Sequence, residues 1–226
     1  MIAKEVVNAL KLVATEERRK VNEWFFKTGK GEYGYGDIFL GVTAPEIRRI
    51  AKKFSQEISL QELTELIRSP IHEVRLCALI ILVNKYKKED SDKIYQYYLK
   101  HLNSVNNWDL VDTSAPHIVG DYLYNNPEKS KILLEFSHSE NLWVRRISIV
   151  STFAFIKNNE FNKTLEIAKL LLNDDQDLIH KAVGWMLREI YKRDKRIIKR
   201  FLRQNYALIP RTTLRYAIER MDKEER

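Results

Sequence analysis

Apolar residues recur at helical spacing along almost the whole chain, and short polar breaks separate the apolar stretches. The breaks are KKEDSD, NNPEKS, KNNEFN and LNDDQD, at residues 87–92, 125–130, 157–162 and 172–177. Apolar positions three and four residues apart share one face of an α-helix. No stretch shows the strict alternation that is typical of a half-buried strand. The pattern predicts an all-α protein with about ten to twelve helices.

Four segments of the chain resemble one another, which indicates internal repeats. They are SPIHEVRLCALIIL, NNWDLVDTSAPHIV, SENLWVRRISIVSTF and DQDLIHKAVGWMLRE. Aligned with PRTTLRYAIE, they place five charged residues in one column: Arg75, Asp112, Arg146, Lys181 and Arg215. Successive members of this aligned column lie 37, 34, 35 and 34 residues apart. That period is typical of helix-pair repeats, each of which buries its apolar face against its neighbours.

The repeats predict an α-solenoid of antiparallel helix pairs, curved around a basic concave groove and forming one domain over residues 1–226. A less regular unit, APEIRRIAKKF, adds Arg48 or Arg49 to the column. Charges at helix starts are also typical of a solvated surface, so that interpretation stays open. The neighbouring tryptophans favour a binding surface instead, because aromatic rings interleaved with cations suit a nucleic-acid backbone. Trp108, Trp143 and Trp185 lie within four residues of Asp112, Arg146 and Lys181, respectively.

The charge balance agrees with a polyanionic partner. The chain has 226 residues, a net charge of +8 and a pI of about 9.4. No apolar run reaches the roughly 18 residues of a membrane span, and the N-terminal MIAKEVVNALKL lacks a secretory pattern. The single cysteine, Cys77, lies among apolar residues, so we expect a reduced interior thiol in a cytoplasmic protein. If the polyanionic partner is DNA, the protein is also expected to associate with the nucleoid.

Several other features favour simpler interpretations. The five histidines show no metal-ligand spacing, so we expect no metal and no cofactor. The glycine-rich GKGEYGYG, residues 29–36, lacks the ending of a phosphate loop. It is either a flexible connection or a loop that contacts DNA through Tyr33 and Tyr35. Asp109 is expected at a helix start. Trp24 and its two phenylalanine neighbours are expected in the core.

The repeated segments also resemble a known family. FLGVTAPEIRRIAK, VNNWDLVDTSAPHIVG, SENLWVRRISIVSTFAFI, DLIHKAVGWMLREIYKRD and PRTTLRYAIER are similar to segments of the AlkD-like DNA alkylation repair proteins, over about residues 20 to 220. A generic HEAT repeat would not supply both WDLVD and KAVGWMLRE. The resemblance implies a HEAT-like fold and a monomeric, monofunctional DNA glycosylase of base excision repair. Its substrates would be cationic N3- and N7-alkylated purines in duplex DNA.

The resemblance also implies roles for individual residues. Asp112 matches the catalytic aspartate of the family, and a groove in which the base need not be flipped is implied as well. Thr43 stands where one relative has glutamine. The DNA contacts implied by the resemblance or by the aligned column are Trp108, Trp143, Trp185, Arg75, Arg146, Lys181, Arg188 and Arg215. Some relatives without the tryptophan–aspartate pair bind DNA without cleaving it. A non-catalytic DNA binder is therefore one alternative, and a protein-interaction scaffold is another.

One carboxylate suffices for this chemistry on physical grounds. Ordinary glycoside hydrolysis uses two, one of which protonates the leaving group. An N3- or N7-alkylated purine is already cationic and leaves as a neutral base, so it needs no general acid. Positive charge then develops on the deoxyribose. Asp112 is expected to stabilise that charge and to orient the attacking water.

Overall fold

The computed structural model describes residues 1–222 and residue 224, and their regular structure is helical. These residues form fifteen α-helices, several short 3-10 helices and one π-helix. Their one β-type pairing is an isolated parallel bridge between Ile38 and Ile71. The all-α prediction is confirmed, although the helices outnumber those expected because some helical runs are interrupted, as at Thr152. Within the same residues, no helix combines the length and apolar character needed to cross a bilayer.

The chain divides into two compact units, Met1–Ser114 and Ala115–Arg226, here called the first and the second unit. The prediction of a single domain over residues 1–226 stays a prediction. The helices of the first unit are α1 (Ile2–Leu12), α2 (Glu16–Phe25), α3 (Ala44–Phe54), α4 (Leu60–Ile67), α5 (His72–Tyr86), α6 (Ser91–Lys100) and α7 (Trp108–Ser114).

Helix α5 forms the centre of the first unit. It packs against α1, α3, α4, α6 and α7, and twelve of its fifteen residues are buried. A helix covered on all sides loses the one-sided hydrophobic pattern that marks a surface helix. Cys77 is fully buried in α5, and this burial raises the pKa of its thiol to about 12. The predicted interior thiol is confirmed.

The second unit begins with a π-helix, Pro116–Gly120, in which the Gly120 amide donates to the carbonyl of Ala115 at 2.8 Å. Its α-helices are α8 (Asp121–Asn125), α9 (Ile132–Ser137), α10 (Leu142–Ser151), α11 (Phe153–Lys157), α12 (Asn162–Leu170), α13 (Asp177–Tyr191), α14 (Lys195–Asn205) and α15 (Arg211–Ala217). Helix α13 is central here, since it packs against α10, α12, α14 and α15.

Polar side chains begin several helices, and one of them, Asp90, lies in a break that the sequence marks. Asp90 accepts hydrogen bonds from the amides of Asp92 and Lys93 at the start of α6. Asn141 accepts one from Trp143 at the start of α10, and Asp194 caps α14 in the same way. Such side chains satisfy backbone amides that have no partner inside the helix. Each of the four predicted breaks also falls at the boundary between two consecutive α-helices.

The repeated segments form equivalent helices. Each residue of the aligned column is the fourth or fifth residue of its helix, in α5, α7, α10, α13 and α15. The repeat register predicted from the sequence is confirmed at this level. The five residues nevertheless differ in solvent exposure, because some are buried and others are exposed.

Gly184 in α13 allows α15 to approach closely. A Cβ atom at this position would lie 2.5 Å from the Tyr216 Cβ atom and 2.6 Å from the Thr213 carbonyl oxygen. Backbone atoms cannot move aside as a flexible side chain can. The glycine of the KAVGWMLRE motif thus sets the packing of α13 against α15.

We predict that Gly184→Ala destabilises the protein. Alanine gains about 1 kcal/mol of helix propensity, but overpacking typically costs about 1–3 kcal/mol and here involves backbone. The free energy of unfolding, measured by denaturant titration, should therefore fall. A variant as stable as the wild type or more stable would contradict the close approach.

Candidate functional site

Asp112 and Trp108 line one cavity within the first unit. The cavity has a volume of about 280 Å³ and lies between α2, the start of α3, α5 and α7. Trp108 is the first residue of α7 and Asp112 lies one turn later on the same helix. Both side chains are half-buried. The structure thus places the two residues of the WDLVD motif on the same concave surface.

Aromatic rings hold Trp108 at the wall of this cavity. The ring of Phe26 is stacked on Trp108, with centroids 5.4 Å apart, and on Phe39 at 5.1 Å. Phe25 contacts Trp108 edge-on at 5.8 Å. The indole nitrogen of Trp108 donates to the hydroxyl of Tyr33 at 3.3 Å. The glycine-rich segment is therefore attached to the site through Tyr33.

A charged network lies beneath the aromatic wall. The two ring nitrogens of His72 donate to Asp37 Oδ2 at 3.2 Å and to Asp109 Oδ2 at 2.8 Å. The imidazole is also stacked on Phe39 at a centroid distance of 4.6 Å. His72 is 1 % exposed, so the network lies in the interior. Asp109, expected at a helix start, is the second residue of α7 and joins α7 to α5.

The carboxylates make His72 a buried cation. Burial alone would lower its pKa, but the charges and hydrogen bonds of Asp109 and Asp37 outweigh burial and raise the pKa to about 9. Burial tends to raise the pKa of Asp37, yet bonds from His72, Arg75 and Asn107 lower it below its usual value. His72 is therefore an imidazolium at neutral pH.

The structure corrects the placement expected for Arg75. Its guanidinium is 4 % exposed and donates to Asp37 Oδ1 at 2.5 Å and to the Ser69 carbonyl at 2.8 Å. The expected contact with DNA required a side chain on the surface. Arg75 instead neutralises Asp37 inside the unit, because an unpaired buried carboxylate would be costly.

Glu73 organises the segment that closes one side of the cavity. Its carboxylate accepts hydrogen bonds from the backbone amides of Leu40, Gly41 and Val42, at 3.0, 2.9 and 3.3 Å, and from the Asn22 side chain at 3.1 Å. Gly41 has φ of +91°, and a Cβ atom there would lie 2.1 Å from the Thr15 carbonyl oxygen. Glycine is thus required at this position of FLGVTAPEIRRIAK, because the backbone is left-handed there and no room is left for a Cβ atom.

Two exposed arginines line the rim of the cavity. Arg18 extends from α2 and Arg48 from α3, and within the described residues neither side chain has an ion pair. Their neighbours differ: Arg19 pairs with Glu16 and Glu23, and Arg49 pairs with Glu46. The cavity therefore has two unpaired cations at its rim, one of them from the less regular unit that the sequence marked.

Two expected DNA contacts of the second unit are buried. Trp143 is 8 % exposed, and Arg146 is 5 % exposed with Nη1 donating to the Leu178 carbonyl at 2.5 Å. The expectation of surface positions for this tryptophan and this arginine is corrected. Both residues lie in the first half of α10 at positions that face the interior of the unit, so they contribute packing there.

The remaining expected contacts of the second unit are more accessible. Lys181 pairs with Asp177 at 2.7 Å, and Arg188 pairs with Glu219. Trp185 is half-buried against Phe153, with ring centroids 6.0 Å apart, and Arg215 is exposed. Roles for Lys181, Trp185, Arg188 and Arg215 in DNA binding stay predictions.

Two aromatic residues of α2, Trp24 and Phe25, differ from the sequence expectation. Trp24 is 80 % exposed and Phe25 is 52 % exposed, and only the neighbouring Phe26 is half-buried. The expected core position of Trp24 and Phe25 was wrong. The buried residue of this helix is Asn22, whose side chain bonds Glu73. This polar contact rotates α2 so that Trp24 points outward and Phe25 reaches the cavity.

A family model described as DNA alkylation repair enzyme matches residues 6–221. The chain belongs to this family. A comparison with curated proteins finds no match.

Solved structures have the same fold at low sequence identity. A predicted DNA alkylation repair enzyme from Enterococcus faecalis has a TM-score of 0.75 and 16% identity, covering 93% of this chain and 97% of that one. AlkD2 from Streptococcus mutans has a TM-score of 0.58 and 18% identity, covering 98% of each chain. The smu.31 protein from Streptococcus mutans UA159 has a TM-score of 0.56 and 20% identity, covering 98% of this chain and 100% of that one. These likenesses support the helical-repeat fold.

We predict that the charge of His72 stabilises the first unit in a pH-dependent way. Its folded pKa of about 9 exceeds its ordinary value of 6.5. The stabilisation is therefore complete below about pH 6.5 and is lost as the pH rises through the folded pKa; the difference amounts to on the order of 3 kcal/mol. The unfolding free energies of the wild type and of His72→Gln should accordingly converge between pH 6.5 and 9.5. A difference in unfolding free energy between the two proteins that does not change with pH would contradict a charged His72.

Proposed function

We propose that this protein is a DNA glycosylase that hydrolyses the N-glycosidic bond of cationic N3- and N7-alkylated purines in duplex DNA. The proposal rests on one observation: Asp112 and Trp108 line the same cavity, and much of the wall of this cavity is aromatic. The family of DNA alkylation repair enzymes supports DNA as the partner and repair as the role. The net charge of +8 favours binding to a polyanion.

Asp112 is the proposed catalytic residue. As the cationic base begins to leave, the deoxyribose acquires positive charge, and a carboxylate about 4 Å away stabilises it by about 4 kcal/mol at an effective dielectric of 20. That energy corresponds to roughly a thousandfold in rate. The released base is neutral, so the reaction needs no proton donor. A water molecule oriented by the same carboxylate then attacks the sugar, and the proton that this water loses passes to the Asp112 carboxylate and from there to solvent.

The aromatic wall has a role in this reaction as well. Trp108 is fixed by Phe25, Phe26 and Tyr33, and it lines the same cavity as the carboxylate. Rings that cover the reacting sugar exclude water and thereby lower the local dielectric, which strengthens the field of Asp112. Exposed cations such as Arg215 in the second unit would hold phosphates.

We predict that Asp112→Asn lowers base release by roughly a hundredfold or more, because it removes the stabilising charge while keeping the size of the side chain. Release of free N7-methylguanine from duplex DNA by purified protein measures this rate. Affinity for the same duplex should hold or rise, since a carboxylate near phosphates is lost.

The exposed carboxylate of Asp92 provides a matched control for that variant. Asp92→Asn carries the same chemical change away from the cavity and should leave release unaltered. If Asp112→Asn releases base at the rate of the wild type, Asp112 is not catalytic. If the wild type binds the duplex but releases no base, the protein is a non-catalytic DNA binder.

We also predict that two arginines of the aligned column, the exposed Arg215 and the buried Arg75, differ in their effect on DNA binding. Binding to duplex DNA should weaken with salt with a log–log slope of about −0.9 per phosphate contact. Arg215→Ala should flatten this slope by about one contact. Arg75→Ala should leave the slope unchanged but lower the unfolding free energy, by about 3–5 kcal/mol for loss of one partner of a buried pair. Equal effects of both variants on the slope would contradict this division.

A further inference from the structure

Helix α14 of the second unit carries a stripe of positive charge along its outer side, here called the α14 stripe. Four cations spaced three and four residues apart share this side of the helix: Arg196, Lys199, Arg200 and Arg203. The three arginines are exposed, and the lysine is half-buried. The opposite side is buried through Ile198, Phe201 and Leu202. The helix therefore has one packed side and one basic side.

The α14 stripe contains no acidic residue, in contrast to the exposed faces of α2 and α3. Helix α14, Lys195–Asn205, has five cations and no carboxylate. In α2 and α3, Arg19 pairs with Glu16 and Arg49 pairs with Glu46, each within one turn. Like charges one turn apart destabilise a helix. Solubility alone does not require this repulsion, whereas a bound polyanion relieves it.

Two arginines of the stripe are free to bind an anion. Arg196 lies 3.8 Å from Asp194, the residue that caps the helix. Within the part of the chain that the structure describes, Arg200 and Arg203 have no ion pair and no hydrogen bond through their side chains. Both guanidinium groups therefore keep all their donors available for a partner.

A groove between α12 and α14 adjoins the stripe. It has a volume of about 430 Å³, with Arg200 on one wall and the exposed Lys169 on the other. The carboxylate among its lining residues, Glu166, is paired with Lys163 at 2.8 Å. The unpaired cations thus border a concave surface that can follow a rod-like polyanion.

The groove is separate from the aligned column. Helices α12 and α14 both pack on α13, and each precedes a helix that carries a member of the column, Lys181 in α13 and Arg215 in α15. None of the described residues that line the groove belongs to the column. The α14 stripe is therefore a second basic surface, in addition to the cations already expected to contact DNA.

We propose that the α14 stripe and the adjoining groove bind the backbone of a second DNA duplex while the first duplex occupies the surface of the aligned column. The inference goes beyond the proposed glycosylase reaction and requires only DNA as the partner, which the family supports. Guanidinium groups bind phosphate oxygens through two parallel hydrogen bonds. From Arg196 to Arg203 the stripe extends about 10 Å along the helix, which equals about three phosphate intervals of one strand.

Duplex DNA fits this surface better than a membrane does. A helix that binds a bilayer surface inserts its apolar side chains, and those of α14 are already buried in the second unit. Phosphates need only exposed donors, and Tyr206, 71 % exposed directly after α14, adds a hydroxyl to them. Two duplex sites on one molecule let the protein pass from one DNA segment to another without a free intermediate.

Displacement kinetics test the second site. A labelled, undamaged duplex is bound to the protein and then chased with unlabelled duplex at rising concentrations. If the protein has one site, the labelled duplex leaves at a rate that does not depend on the concentration of the competitor. If it has two, the competitor binds before the labelled duplex leaves, and the rate of loss rises with competitor concentration.

We expect the rate of loss from the wild type to rise roughly tenfold over the competitor range, and that from the double variant Arg200→Gln/Arg203→Gln to stay constant within about twofold, because two phosphate contacts of the second site are removed. The matched control Lys87→Gln/Lys88→Gln removes the same charge from the exposed break after α5. It should behave as the wild type. Affinity for the first duplex should be equal in the two double variants.

Three results would overturn the second site. The first is a wild-type rate that does not depend on the competitor, and the second is an equal dependence in the Arg200→Gln/Arg203→Gln variant. The third is a weaker affinity of that variant for the first duplex than the control shows, since the stripe would then belong to the first contact. Binding to phosphatidylserine vesicles that the variant loses, without any competitor dependence in the wild type, would assign the stripe to lipid instead.

Stability and base release are measured on the same proteins. The unfolding free energy of Arg200→Gln/Arg203→Gln should equal or exceed that of the wild type, because repulsion within α14 is relieved. If this variant does not fold, Lys169→Gln on the other wall of the groove should reduce the competitor dependence in the same direction, and an unchanged dependence would overturn the inference. Release of N7-methylguanine without competitor dependence overturns the second site alone, and competitor dependence without release overturns the glycosylase proposal alone.

Discussion

The first unit depends on one imidazolium held between two carboxylates. His72 joins three parts of the chain: Asp37 from the segment before α3, α5 itself, and Asp109 from the first turn of α7. Isolated buried charges are costly, but here each charge has a partner and each nitrogen of the ring donates a hydrogen bond. Removal of one partner would leave a buried charge unpaired. The position of α7, and with it Trp108 and Asp112, therefore depends on this contact.

The first turn of α5 fixes both sides of the candidate site. His72 reaches α7, and the adjacent Glu73 binds the backbone of residues 40–42 that leads into α3. Neither side chain is a good candidate for chemistry, because its polar atoms already have partners inside the protein. Buried polar groups with every bond satisfied give a rigid wall. Such rigidity is what a reaction that relies on a preorganised carboxylate requires.

The sequence predicted the helices and their repeat because both depend on local patterns. It identified Asp112 and Trp108 through a motif, and both lie on the cavity. It did not predict that Arg75 and Arg146 are buried, since burial depends on partners such as Asp37 and the Leu178 carbonyl that are distant in sequence. The burial of His72 between two carboxylates was not predicted either, since Asp37 and Asp109 are also distant from it in sequence. The one local signal was a His-Glu pair at the very start of an apolar helix that is buried on every side.

The proposed selectivity for cationic lesions would follow from the same arrangement of charges. A glycosylase without a general acid obtains its leaving-group activation from the lesion, so it must favour a charged base over a neutral one. One net negative charge about 6 Å from a bound cation contributes about 3 kcal/mol at an effective dielectric of 20, and nothing for a neutral base. That difference amounts to roughly a hundredfold in preference. In the proposed glycosylase, the carboxylates that hold His72 and the 40–42 segment in place would thus also contribute to the field at the lesion.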